Sequence, residues 1–155
     1  MASRIALAAL ALLTAALAGC AHEKAGMTGY RWSYLEDGSD VPRLAYGRPN
    51  SDDVVLMMSC QPGQDRVDVS AVGLQGQELV LASGRTESRF VGARIEDAIS
   101  ESGVLEARGK ASAPALKGFQ KSGDLALLAK GDRYSLAAAS ADRAYVSAFF
   151  AACGV

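Results

Sequence analysis

Three cysteines, a single histidine and a scatter of paired carboxylates are the side chains of this sequence with obvious chemical potential. Cys20, Cys60 and Cys153 with His22 are too few soft ligands, too widely spread, for most zinc or haem sites. The carboxylates cluster at Glu36-Asp37 with Asp40, at Asp52-Asp53 and at Glu96-Asp97. Each cluster offers hard oxygens, but none follows the Asp-x-Asp/Asn-x-Asp/Asn-Gly spacing with a distal glutamate that a calcium loop uses. Solvated turn carboxylates describe them better, and neither a metal nor a cofactor is expected. Nucleophilic catalysis is also disfavoured. His22 is the only imidazole, and neither a G-x-S-x-G elbow nor a Walker or GxGxxG phosphate loop occurs. No catalytic residue is assigned. Two carboxylates flanking a glycosidic bond are a tertiary arrangement, so a cell-wall or glycan-acting enzyme stays open as the alternative to a non-catalytic protein.

The amino terminus reads as an address. Met1 to Arg4 carries one positive charge, Ile5 to Ala16 is almost unbroken Ala, Leu and Ile, and small residues precede Cys20. That is the pattern of a secretory signal. The stretch is shorter than the roughly 20 residues that a bilayer-crossing helix needs. Leu17-Ala18-Gly19-Cys20 resembles the lipobox of bacterial lipoproteins. The resemblance covers these twenty residues and implies that Cys20 receives diacylglycerol on sulfur, is released from residues 1–19, and is acylated on its new amine. Ala21 differs from the aspartate associated with inner-membrane retention, so the resemblance favours the periplasmic face of the outer membrane. Two or more chains are needed for firm anchoring, because a single chain holds a protein only reversibly.

The charge pattern supports anchoring by lipid rather than by electrostatics. The chain has 16 basic and 17 acidic residues. Loss of Arg4 with the signal leaves 15 against 17, a net charge of −2, which offers no attraction to anionic lipid. The charges are interspersed, without the basic stripe that a run of phosphates would require, so nucleic acid is a poor partner. Arg85 and Arg89 alternate away from Arg94 and form no coherent anion site. The expected partners are the membrane, through the lipid, and an envelope protein.

The elements behind these residues are mostly strands. Residues 20–29 are small and polar and predict a flexible tether. Residues 30–155 predict one β-rich domain. Tyr30, Trp32 and Tyr34 alternate with polar residues, and Glu36 to Asp40 carries an Asp-Gly turn signal. Tyr46 follows on the returning strand. This aromatic group, Tyr30, Trp32, Tyr34 and Tyr46, is the candidate recognition surface, with core anchoring by Trp32 as the competing role. Val54 to Cys60 is apolar on both faces, as a central strand is. Val67 to Ala71, Glu78 to Ala82, Ser88 to Ile95, Val104 to Arg108, Leu125 to Ala129 and Arg133 to Ala137 continue the series. Ser-Gly-x-Leu occurs at residues 102–105 and 122–125, which reads as two similar turns entering strands.

The carboxy terminus changes period. Ser140 is placed to cap a helix in which Val146, Phe149, Phe150 and Cys153 form one apolar stripe, stopped by Gly154. The predicted fold is mainly β (α+β): a small antiparallel β-sandwich or curled sheet with that one helix docked on it. Two cysteines remain after Cys20, and outside the cytosol such pairs usually join. A Cys60–Cys153 disulfide is predicted, closing a loop of about 94 residues for which loop-closure entropy gives up to about 4 to 5 kcal/mol. Phe149, Phe150, Cys153 and Gly154, within FFAACG, loosely resemble the closing helix of small periplasmic β domains of proteobacterial lipoproteins, a resemblance that implies no activity. A lipid-anchored binding or structural protein of the envelope follows, with a small apolar-ligand carrier as a further alternative.

Overall fold

The computed structural model describes residues 22–35, 41–95 and 103–155. The Asp-Gly turn at 36–40, the Glu96-Asp97 pair and the lipobox lie outside these residues. In chain order the strands are β1 (His22–Lys24), β2 (Arg31–Leu35), β3 (Arg43–Gly47), β4 (Val54–Cys60), β5 (Val67–Val72), β6 (Glu78–Ser83), β7 (Thr86–Ile95) and β8 (Val104–Gly109). Helix α1 (Pro114–Ser122), β9 (Ala126–Ala129), β10 (Asp132–Ser135), a 3-10 turn (Ser140–Asp142) and helix α2 (Arg143–Cys153) complete it.

All ten strands form one sheet, ordered β1-β10-β9-β6-β7-β8-β5-β4-β3-β2. It curls into an open half-barrel, so of the two expected architectures the curled sheet is the one found. Alternation along the strands explains the curl's two faces. In β4, Leu56, Met58 and Cys60 are buried while Val55, Met57 and Ser59 are half-buried. In β5, Val67, Val69 and Ala71 are buried between Asp68 and Ser70. The inward set builds one core with the two helices, as period-2 patterning requires.

Two glycines permit the bend. A side chain at Gly92 in β7 would overlap the Glu106 carbonyl of β8, and one at Gly109 would overlap the Phe90 ring, which lies across that position. Close backbone approach of this kind marks glycine within a strand. Gly92→Ala should therefore destabilise the fold by about 2 to 3 kcal/mol, at the upper end of ordinary point substitutions. Urea unfolding would measure it, and a loss below half a kcal/mol would mean that the sheet can flatten there.

Helix α1 was not anticipated from the sequence. Pro114 supplies a preset φ at its first turn, and Ala115, Leu116 and Phe119 are buried. The helix lies close on the sheet because Gly118 faces Ser83 without a Cβ to intervene. The Ser88 hydroxyl oxygen accepts from the Ala115 N–H at 3.0 Å, meeting one of the donors that a helix start leaves open. Just before it, Asp65 accepts from the Ser112 N–H and hydroxyl at 2.7 and 2.6 Å. These bonds hold the Asp65 carboxyl below its ordinary pKa. Gly123 ends α1 at φ 75°, and Gly103 enters β8 at φ 64°. The glycines of the two Ser-Gly-x-Leu runs are thus both left-handed, one closing a helix and the other entering a strand.

Helix α2 buries Val146, Phe149, Phe150 and Cys153, and Gly154 terminates it in the left-handed conformation. Its start differs from expectation. Ser140 opens the 3-10 turn and makes no side-chain cap bond. Asp142 precedes the helix and also spends its carboxylate elsewhere. It accepts from the Trp32 N–H at 3.3 Å and pairs with Arg31 at 2.9 Å, across the outer edge of β2.

The predicted tether is also corrected in part. Residues 22–24 pair in parallel with β10, His22 opposite Asp132 and Lys24 opposite Tyr134. Lys24 forms an ion pair with Asp132 at 2.6 Å and lies over the Tyr134 ring at 5.1 Å. The edge of β10 offers unpaired backbone groups, and this short segment takes them despite its polar composition.

Candidate functional site

The four aromatics chosen from the sequence do not make a common surface. Trp32 is fully buried and Tyr46 almost so, while Tyr30 and Tyr34 are half-buried. The Trp32 ring sits 5.3 Å from Tyr46 and 4.9 Å from Phe119, and its indole N–H donates to the Leu136 carbonyl at 2.7 Å. Core anchoring is therefore the role of Trp32 and Tyr46, because α2 packs over their strands and Phe119 of α1 meets the Trp32 ring. Tyr30 belongs to a surface cluster. Its hydroxyl donates to Asp53, and the Arg48 guanidinium lies 5.5 Å from its ring. The Asp53 bond pushes the Tyr30 phenol upward, opposed by Arg48. This cluster pins the loop between β3 and β4, and it consumes Asp53, one of the predicted acidic pair.

Cys60 and Cys153 are joined, with S–S 2.01 Å and Cα atoms 5.7 Å apart. The bond ties the last residue of β4 to the last residue of α2. Among the described residues no group of three or more His, Cys, Asp or Glu side chains could hold a metal ion. Among them, too, no helix is long and apolar enough to cross a membrane.

Among the described residues, two concavities are large enough for something to bind. The first is a groove of about 460 Å³ on the open face of β4, β5, β7 and β8, lined by Met57, Ser70, Val91, Glu106 and Arg108 among others. Both signs of charge line it: Asp68 binds Arg108 at 2.5 Å, and Glu106 adds a second carboxylate.

The second is a cleft of about 370 Å³ at one end of the curl, within the range of roughly 300 to 1,000 Å³ typical of ligand sites. Val55, Val72 and Leu74 wall one side, and Leu127, Ala129 and Leu136 the other. Ala25 and Met27, leading away from β1, lie along it. The Tyr46 phenol fixes this segment through a backbone hydrogen bond with Met27, and burial pushes that phenol upward. Met27 and Val72 remain 42% and 41% exposed at the rim. The β9–β10 turn closes the end, with Lys130 at φ 54° and Gly131 at φ 83°, the paired left-handed residues of a two-residue hairpin.

The lining is mainly apolar, with Gln75, Glu78, Lys130, Tyr134 and Ser135 as its polar members. Its apolar walls can accept a hydrocarbon. Sequence patterning could not find it, because its walls come from six separate segments that meet only through the curl. No family model, no curated protein and no solved structure matches this chain.

Proposed function

We propose that the protein is a lipid-anchored binding module of the bacterial cell envelope, held at the periplasmic face of the outer membrane through Cys20 and acting without catalysis. The observation that carries this reading is the use of the cysteines. Cys60 and Cys153 pair with each other, a bond favoured in an oxidising compartment. The cysteine left over is the one in the Leu-Ala-Gly-Cys run. A β domain stapled by its own disulfide is suited to life outside the cytosol, and the apolar cleft supplies a place for binding. The cleft also favours a second reading, a carrier of small apolar molecules.

Cys20→Ser tests the anchor. Fractionation should find the unsubstituted protein with membranes, and mass spectrometry should find its amino terminus at an acylated Cys20. The variant should leave the membrane fraction by at least about tenfold, since the acyl chains on Cys20 together supply the binding free energy. Equal membrane retention of the variant would overturn the reading.

A further inference from the structure

The apolar cleft and the point at which the chain joins the sheet lie at the same end of the molecule. His22 is paired with Asp132, the residue that follows the Lys130–Gly131 turn, and Ala129 and Lys130 line the cleft. Ala25 and Met27 continue from β1 along the cleft itself. Cys20 precedes His22 by two positions. Two residues span at most about 7 Å when fully extended. An anchor at Cys20 therefore holds this end of the domain at the level of the lipid headgroups, whatever path residues 20 and 21 take.

Such a short leash removes most of the orientations that a long tether would allow. It brings the exposed Met27 and Val72 side chains and the cleft's opening to the bilayer surface. An apolar cleft in water is hydrated unfavourably, and the nearest apolar molecules to this one are the lipids of the leaflet. We propose that the cleft is an acyl-chain site facing the membrane, which takes one hydrocarbon chain of a phospholipid from the leaflet in which the protein is anchored. The proposal rests on the lipid-anchor reading for the source of the chain, and on the cleft alone for its chemistry. Val55, Val72 and Leu74 contact the chain from one side, and Leu127, Ala129 and Leu136 from the other. The headgroup stays at the rim beside Lys130, where the neighbouring Glu78 carboxylate is held by Arg89 at 2.8 Å.

Photocrosslinking separates the two supports. Full-length acylated protein in vesicles of phosphatidylethanolamine and phosphatidylglycerol, with a diazirine in one acyl chain, should yield adducts at Met27, Val72 and residues 127–129. Ala129→Trp, which fills the cleft, should reduce those adducts at least about tenfold while the circular dichroism stays unchanged. Should Ala129→Trp fail to fold, Val72→Lys at the exposed rim serves the same purpose. Adducts confined to residues outside the cleft, or unaffected by a folded blocking variant, would overturn the proposal. The Cys20→Ser protein is then exposed in solution to diazirine-bearing laurate. Cleft labelling there upholds the acyl site even where mass spectrometry finds Cys20 unacylated, in which case only the anchor reading falls. No cleft labelling in either form would overturn the site.

Discussion

A protein with alanine at both 60 and 153 should be less stable than the original by about 2 to 5 kcal/mol, the range seen when a disulfide is removed from a small exported domain. The bond spans a sequence separation of 93, most of the folded chain. Its loss therefore releases a long loop in the unfolded state and disturbs few native contacts. Cys60 and Cys153 are both buried beside Phe149 and Phe150, so alanine leaves a small void and no unpaired polar group. The folded spectrum should persist while the urea midpoint falls. Equilibrium unfolding of the double variant measures this, and a difference under about 1 kcal/mol would show that the staple adds little. Reduction of the original protein under mild denaturant should reproduce the same shift. Replacing both cysteines together matters, because one remaining thiol invites intermolecular pairing.

The second large effect belongs to Trp32. Its side chain is fully buried between Tyr46 and Phe119, and truncating such a ring to alanine costs about 3 to 5 kcal/mol. The Leu136 carbonyl, which accepts the indole N–H at 2.7 Å, would also lose its partner, adding about 1 to 3 kcal/mol. Trp32→Ala should thus leave little folded protein at 37 °C. Trp32→Phe keeps the ring contacts and loses the donor, so its deficit should be the smaller part of that sum. Circular dichroism melts of both variants separate the contributions. A fully stable Trp32→Ala protein would return the residue to the status of a surface feature. As the chain has one tryptophan, the original protein's emission also reports on this junction directly.

The strands and the last helix were legible because their patterns are local. Val67, Val69 and Ala71 alternate with polar residues, and Val146, Phe149, Phe150 and Cys153 repeat at helical spacing; both sets are buried as their periods require. The disulfide was legible by arithmetic, once Cys20 was set aside. Helix α1 left weaker marks. Pro114 and Gly123 bracket it correctly, but only Ala115, Leu116 and Phe119 face inward, too few to announce a periodic face among the polar residues around them. The aromatic group misled for a physical reason. Alternation places Trp32 and Tyr34 on one face without saying whether helices will cover it. Tyr46 and Trp32 lie under that cover, and Tyr30 lies outside β2 altogether. The pairing of residues 22–24 with β10 had no signal, since it rests on backbone groups and on Lys24 meeting Asp132 and Tyr134, which are distant in sequence.

The Asp142 carboxylate on the Trp32 N–H bears on whether a further strand can add to the sheet. β2 ends the strand order, and its free backbone would otherwise template a neighbour's strand. With that donor already taken, an incoming strand meets a missing hydrogen bond and the Arg31–Asp142 ion pair. The opposite end terminates in a strand of only three residues. Both edges of the sheet are thus poor templates for a further strand, which disfavours edge-to-edge growth.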